Sequence, residues 1–219
     1  MTEILTAVDV VPLCLVNGGL QLVLSKRPVA PFAGVWALPS GAIDTASDNH
    51  TRDTALRLLR EQLGVEEAYV EQVATFSGPA RDPRGWSLDV VYCALIPQAL
   101  LPAHEAVRCV PVADMPLLPL DQGSVVKTAL QRVRNKSQYS SLPVHLCGPT
   151  FSLPQLQQVY ESLLGEPLNK VSFRRKMEEM QLLEVVPGAL QAGGAHRPAQ
   201  LYRVRPAFQR ELALSVRGL

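Results

Sequence analysis

The sequence has no long apolar stretch and no segment that resembles an export signal. No run of about 18 consecutive apolar residues occurs in its 219 residues, which argues against a membrane-spanning helix. The opening segment, MTEILTAVDVVP, lacks the basic start and the following apolar stretch that are typical of a secretory signal. We therefore expect a cytoplasmic protein that has no membrane partner.

The sequence also lacks clustered cysteines, internal repeats and low-complexity tracts. Its four cysteines are far apart and include no Cys-x-x-Cys pair. Structural zinc sites use closely spaced cysteines, and small disulfide scaffolds are rich in them, so neither is expected here. We expect reduced thiols at Cys14, Cys93, Cys109 and Cys147.

The net charge of +1 hides an uneven distribution along the chain. Residues 1–130 carry nine lysines and arginines against 14 aspartates and glutamates, whereas residues 131–219 carry 12 against six. The basic C-terminal third fits a polyanionic partner, but a modest positive charge is also typical of ordinary domains. Charge alone therefore does not determine the partner.

Residues 1–136 have the pattern of a mixed α/β domain. The β-branched runs TAVDVVPLCLV and LQLVLS are joined by Asn17-Gly18-Gly19, which predicts a tight hairpin. Apolar residues at helical spacing predict a helix from Thr51 to Leu63, and Gly64 suits its C-terminal end. We further expect strands in YVEQVATFSG and SLDVVYCALIP, a turn at GPARDPRGW between them, and a helix near residues 123–134.

Residues 151–219 show a different order of elements. Ser152 and Asn169 are suited to cap two helices, the second of which is rich in lysine and arginine. Two short strands, LLEVVP and QLYRV, follow on either side of a glycine-rich tip. This order predicts a winged helix-turn-helix domain. The polar segment before it, residues 137–150, is predicted to be an inter-domain linker.

The segment GAIDTASDNHTRDTALRLLREQLGV resembles a Nudix box. The pattern of that family is Gly, five residues, Glu, seven residues, and then Arg-Glu-aliphatic-x-Glu-Glu-x-Gly-aliphatic. The match is aligned from the end of the pattern, where the helix closes. The residues that match are Arg57, Leu59, Glu61, Gly64 and Val65.

The box departs from the pattern at positions that would bind metal. Leu58 replaces the first glutamate of the closing motif, Gln62 replaces the last, and Gly41 lies two residues too far upstream. Positions 58, 61 and 62 are three and four residues apart on a helix, so three carboxylates there could bridge magnesium to a pyrophosphate. With two of them absent, we expect no metal site and no catalytic residues, because metal-assisted attack of water loses its ligands.

Four segments together, ALPSGAID, ARDPRGWSLDVVY, NKVSFRRKMEEMQLLE and HRPAQLYRV, are similar to the NrtR family, the Nudix-related transcriptional regulators of NAD metabolism. The resemblance covers nearly the whole chain. It implies an α/β/α Nudix sandwich with a mixed sheet, followed by a small winged helix-turn-helix domain. It also implies a repressor of NAD biosynthesis or salvage genes that requires no cofactor and is released by ADP-ribose or a related NAD metabolite.

A repressor of this kind is implied to be a homodimer on double-stranded DNA. The two-fold symmetry of a dimer suits an operator that is an inverted repeat. The second helix of the winged helix-turn-helix would enter the major groove, where arginine can pair with guanine and lysine or serine with phosphate. The candidate DNA-binding residues are Lys170, Ser172, Arg174, Arg175 and Lys176 in this helix, and His196 and Arg197 at the wing.

Two alternatives remain for these cationic residues. The basic helix could present an ordinary solvated face, and the wing residues could belong to a loop that does not contact DNA. Arg174 and Arg175 point about 100° apart on a helix, so they cannot both read bases, and one could face inward. The sequence leaves open which arginine reads the operator.

The effector site is expected in the Nudix-like domain. A pyrophosphate needs fixed cationic donors, and arginine is suited to bind it with two hydrogen bonds. The candidates are Arg27, Trp36, Arg57, Glu61, Arg81, Asp82 and Arg84. Some of them could be purely structural: a salt-bridged turn at residues 81–84, a core tryptophan, and an ion pair between Arg57 and Glu61 or loop carboxylates.

An enzyme from the same family is the rival interpretation. Glu61, together with Asp44, Asp48 or Glu105, could hold one metal ion in an active Nudix ADP-ribose pyrophosphatase with an appended winged helix. A ligand-controlled activator is a third possibility, because repression and activation depend on the position of the operator rather than on this chain.

Overall fold

A computed structural model of the chain describes residues 4–191, 199–209 and 211–215, except for the side chains of residues 190 and 191. The chain forms two compact units, which divide between Arg132 and Val133, and the second unit also includes residues 17–19. No helix in the described ranges is long and apolar enough to cross a membrane. The division lies close to residue 136, where the sequence predicts the end of the first domain.

A mixed sheet of seven strands forms the first unit. Strand β1 pairs in parallel with β6 and antiparallel with β4, while β5 pairs antiparallel with β6. The strands are β1 (Leu5–Val16), β2 (Gly19–Lys26), β3 (Trp36–Ala37), β4 (Ser40–Ala42), β5 (Tyr69–Asp82), β6 (Gly85–Leu95) and β7 (Val107–Pro111). Two helices accompany them, α1 (Thr51–Leu63) and α2 (Gln122–Ser137).

The residues of β1 show on which face of the sheet each helix lies, because successive side chains along the strand alternate between the two faces. Val8 and Val10 are fully buried in a cluster with Leu59 of α1. Successive strand residues point to opposite faces, so Asp9 points away from α1. On that face it is close enough to Asp121, the residue that precedes α2, for the Asp121 carboxylate to raise the pKa of Asp9. The start of α2 therefore lies on the face opposite α1, as in the expected α/β/α arrangement.

The hairpin turn after β1 and the C-terminal end of α1 confirm the sequence predictions. Asn17 and Gly18 have φ angles of 51° and 77°, which are the positive values that a tight hairpin requires. Helix α1 spans the predicted residues and ends at Gly64, whose φ is 69°. The backbone N–H of Gly64 donates to the carbonyl of Arg60 and closes the last turn.

The predicted turn between β5 and β6 is wrong in length. The strands reach Asp82 and Gly85, so only Pro83 and Arg84 form the turn. The pairing register shifts between Gly78 and Asp82, which shows that a bulge absorbs the extra residues. The glycine and proline of GPARDPRGW therefore mark an irregular strand rather than a long loop.

The second unit is a winged helix-turn-helix, as the order of elements predicts. A sheet with the order β8-β10-β9 packs with two helices. Tyr160 and Phe173 meet edge to face in its core, with 5.3 Å between ring centroids. The elements are β8 (Phe151–Ser152), α3 (Leu153–Leu164), α4 (Lys170–Glu179), β9 (Leu183–Gln191) and β10 (Ala199–Val204).

The polar segment at residues 137–150 is not a free connection. Helix α2 continues to Ser137, and Leu142, Val144 and Leu146 are buried. The hydroxyl of Tyr160 donates to the carbonyl of Ser140 at 3.0 Å, which ties the segment to α3. These apolar residues bury surface in the second unit, so the predicted linker is part of that unit.

Candidate functional site

Two of the departures from the Nudix box, Leu58 and Gln62, have structural partners. Leu58 is 2% exposed and lies in the core, where a Cβ added at Gly41 would meet its side chain at 2.8 Å. The amide of Gln62 donates to the carbonyl of Ser40 at 2.9 Å and accepts from the hydroxyl of Ser25 at 3.3 Å. Position 58 is therefore a packing position, and position 62 connects α1 to the sheet.

Arg57 holds the loop before α1 in place. Its guanidinium donates to both carboxylate oxygens of Asp48, at 3.1 and 2.7 Å, and to the carbonyl of Ala42 at 3.0 Å. These hydrogen bonds from Arg57 hold the pKa of Asp48 well below its usual range, and Thr54 adds a further bond. Glu61 is half exposed and pairs with Arg57 at 3.3 Å.

The carboxylates near α1 do not assemble into a recognisable metal site. Asp48 forms an ion pair with Arg57, and Glu61 pairs with the same guanidinium. Asp44 accepts hydrogen bonds from the backbone of Ala46 and the hydroxyl of Ser47. Within residues 4–191, 199–209 and 211–215, no group of three or more histidine, cysteine, aspartate or glutamate residues could hold a metal ion.

Ser40 of strand β4 contacts both Arg27 and helix α1. Arg27 donates to the hydroxyl of Ser40 at 3.0 Å and to the carbonyl of Pro31 at 2.7 Å. The same serine accepts from Gln62 through its carbonyl. Trp36 lies on strand β3, which pairs with β2, and the Lys26 ammonium is 5.5 Å from the centroid of its ring. The structure thus brings Arg27, Gln62 and Arg57 to β4.

Arg81 is tied to the start of α2. It donates two hydrogen bonds to Asp121, at 2.7 and 2.9 Å, and one to the carbonyl of Phe76 at 3.1 Å. Its guanidinium also lies 3.1 Å from Asp89. The Arg81 side chain is 11% exposed, so this group is largely removed from water. These contacts show an ion network inside the unit.

Asp82 and Arg84 form the salt-bridged turn that the sequence left open as an alternative. The Arg84 guanidinium donates to both oxygens of Asp82, at 2.9 and 2.7 Å. The backbone N–H of Arg84 donates to the same carboxylate. The hydrogen bonds from Arg84 lower the pKa of Asp82. Arg84 itself is about half exposed and remains accessible from solvent.

Asp9 is a charged residue that the sequence reasoning missed. It is 4% exposed in the middle of β1. Burial, together with the Asp89 carboxylate, raises its pKa to about 7, although the nearby charges of Arg81 and Arg27 oppose the shift. The available signal was a single aspartate inside the apolar run TAVDVVPLCLV, where a carboxyl would have to be buried.

Helix α4 exposes most of the predicted DNA-binding residues. Its buried side chains are Phe173 and Met177. Asn169 caps the helix by accepting from the backbone N–H groups of Val171 and Ser172. Both arginines are exposed, so neither faces the core. Lys170, Ser172, Arg174 and Arg175 are exposed and Lys176 is half-buried. The wing candidates His196 and Arg197 lie outside the described residues.

Both units match known sequence families. The sequence profile of the NUDIX domain matches residues 6–129, and that of the NrtR DNA-binding winged helix domain matches residues 143–204. A relative from Acinetobacter baylyi, the ADPR responsive transcriptional repressor NtrR, is 38% identical over 205 residues. This similarity covers 91% of the chain and 81% of the relative.

Two solved structures are similar to the chain. Shewanella oneidensis NrtR complexed with a 27mer DNA is 35% identical, with a TM-score of 0.88 over 98% of this chain and 99% of that chain. The NUDIX domain of Shewanella oneidensis NrtR complexed with ADP ribose is 34% identical, with a TM-score of 0.54 over 61% of this chain and 90% of that chain. The similarity therefore extends to both units.

Proposed function

The chain belongs to the NrtR family, and on this premise we propose that it is a transcriptional repressor of NAD biosynthesis or salvage genes. ADP-ribose or a related NAD metabolite releases it from its operator. The observation that carries the proposal is the joining of two parts in one chain. One is a Nudix unit with Leu58 and Gln62 at positions that would bind metal, and the other is a winged helix with an exposed basic helix.

The known partners of the relatives support this assignment. The Acinetobacter baylyi relative is an ADPR responsive repressor, and Shewanella oneidensis NrtR structures contain DNA in one case and ADP ribose in the other. We assign the double-stranded DNA operator to the second unit and the effector to the first. A repressor acts on chromosomal DNA, so the proposed location is cytoplasmic.

The effector is proposed to bind around β4. Arg27 and Arg57 both donate to this strand, through Ser40 and Ala42, so two guanidinium groups are fixed there. Fixed arginines suit a pyrophosphate because little side-chain freedom is lost when the ligand binds. The proposed effector-binding residues are Arg27, Trp36, Arg57, Glu61, Arg81, Asp82 and Arg84.

Release requires that the effector prefer one arrangement of the repressor over another. A ligand with equal affinity for the operator-binding state and the other state shifts no population. We propose a homodimer whose two α4 helices address the halves of an inverted repeat, and in which bound ADP-ribose favours the arrangement that does not fit the operator. No cofactor is needed for this cycle.

Selection from a random pool of double-stranded DNA tests the repressor function. We expect the wild-type protein to enrich a palindromic site, because a two-fold dimer reads both half-sites. The enrichment should disappear when ADP-ribose is present during selection. Enrichment that persists with ADP-ribose would contradict effector release, and the absence of any enriched sequence would contradict DNA recognition.

The Nudix unit is proposed to bind ADP-ribose without hydrolysing it. A magnesium site in this region would rely on Glu61, since Leu58 is buried and Gln62 is a neutral amide bonded to Ser40. Incubation with ADP-ribose and magnesium should therefore release no AMP above a protein-free blank, as measured by chromatography. Magnesium-dependent release that Glu61→Gln abolishes would instead establish the pyrophosphatase.

A further inference from the structure

The outward face of α4 is defined by its buried residues. Phe173 and Met177 pack in the core of the second unit. A helix turns by about 100° per residue, so Val171 and Arg175, each two residues from Phe173, lie roughly 160° from it. Arg174 lies only about 100° from Phe173, on the flank of the helix. Val171 and Arg175 thus project directly away from the core.

Val171 and Arg175 are also neighbours on the helix surface. They are four residues apart, the spacing at which side chains on a helix meet. The Val171 residue is 78% exposed, and the Arg175 side chain is 77% exposed. A β-branched valine is a poor choice for an exposed helix position on propensity alone. An apolar and a cationic group therefore stand side by side on an accessible surface.

The major groove of DNA offers a matching pair of groups. Thymine presents a methyl group, and guanine presents two acceptors, N7 and O6, that suit the two-pronged donor of arginine. Arg175 pairs with Glu179 at 3.5 Å, but the Glu179 side chain is 62% exposed as well, so solvent screens this pair and guanine can replace it. The Asn169 side chain accepts from the backbone N–H groups of Val171 and Ser172, so these two donors are not available to DNA.

We propose that Val171 and Arg175 form one base-reading pair, in which Val171 contacts the methyl group of a thymine and Arg175 donates to N7 and O6 of a nearby guanine. The inference rests on the proposed operator binding by the second unit. Four residues of helix rise about 6 Å, and bases of one strand are about 3.4 Å apart, so the two bases are adjacent or separated by one pair. Arg174, on the flank, contacts the phosphate backbone.

The thymine contact is tested by removing only the methyl group from the DNA. Each thymine of the selected duplex is replaced in turn by deoxyuridine, and dissociation constants are measured by fluorescence anisotropy for the wild type and for Val171→Ala. We expect one replacement to weaken wild-type binding by about fourfold, the effect of exposing one buried methyl group. The same replacement should leave binding by Val171→Ala unchanged.

A matched control comes from a second exposed valine in the same unit. Val185 is 49% exposed on β9, outside α4. Val185→Ala should respond to deoxyuridine as the wild type does. Deoxyuridine effects that are equal in the wild type and Val171→Ala, or absent at every thymine, would overturn the assignment of Val171. The protein is unchanged in the deoxyuridine series, so this comparison does not depend on the stability of a variant.

The guanine contact is tested with 7-deazaguanine, which removes the N7 acceptor. One such replacement next to the sensitive thymine, or one base pair beyond it, should weaken wild-type binding by about tenfold. Arg175→Ala should be insensitive to that replacement, while Arg174→Ala should remain sensitive and bind all sequences more weakly. The reverse result would assign base reading to Arg174. A protein that binds no duplex at all would instead refute the proposed function.

Discussion

Replacing Arg81 with alanine is expected to lower the free energy of unfolding by about 3 to 5 kcal/mol. The Arg81 guanidinium donates two hydrogen bonds to Asp121 and lies 3.1 Å from Asp89. The Asp89 side chain is only 13% exposed, and Asp9 is buried next to the same network. Removing the cation leaves these carboxylates without their compensating charge. Urea denaturation at pH 7.5, followed by circular dichroism, measures the loss.

Arg84→Ala is the matched control for this experiment. Arg84 belongs to the same turn and pairs with Asp82, but its side chain is 52% exposed. The Asp82 side chain is 8% exposed, but water reaches the pair through Arg84, and Arg84→Ala removes the partner of this one carboxylate only. Its loss should therefore be smaller than that of Arg81→Ala, about 1 to 2 kcal/mol. A loss of less than about 1 kcal/mol for Arg81→Ala would contradict a structural role for Arg81. That result would leave effector binding as its main function.

Replacing Asp9 with asparagine should stabilise the protein increasingly as the pH rises. The pKa of Asp9 is about 7 in the folded state, against an ordinary value of 3.8, mainly because the carboxyl is buried. Above pH 4 the unfolded chain releases this proton while the folded state retains it up to about pH 7. The stability of the wild type therefore falls through that range. Asparagine has the same shape and no proton to lose.

The difference between Asp9→Asn and the wild type should grow by about 2.5 kcal/mol from pH 5 to pH 8 in favour of the variant. Thermal unfolding at a series of pH values measures it. Asp82→Asn is the control, because the pKa of Asp82 is lowered and its stabilising effect is complete at both pH values. A constant difference for Asp9→Asn would show that this carboxyl is already ionised at pH 5.

The local features of the fold were predictable from short stretches of sequence. Gly64 ends α1 because glycine adopts the positive φ angle of the cap without steric cost. Ser152 and Asn169 begin α3 and α4 because their side chains accept from N–H groups that the first turn leaves unpaired. Each of these effects involves residues within one or two turns of each other.

The candidate site was only partly predictable, because many of its contacts join residues that are far apart in sequence. The sequence identified the arginines, but Arg81 finds its partner 40 residues away in Asp121, and no local pattern connects them. Whether Arg57, Arg81 and Arg84 have free donors depends on which carboxylates the fold brings to them. The residues at 142–146 were likewise misjudged, because their burial depends on the core of the second unit.

The sequence by itself determined the two kinds of domain, the loss of carboxylates at positions 58 and 62, and the basic character of the helix after Asn169. These are statements about residue type and spacing, which the order of the chain contains directly. Only the tertiary structure decided that Asp9 is buried against Asp89 and Arg81 and that Leu58 belongs to the core. It also showed that Arg174 and Arg175 are both exposed. Burial and charge pairing arise between residues that are distant in sequence, so they follow from the packing of the whole unit.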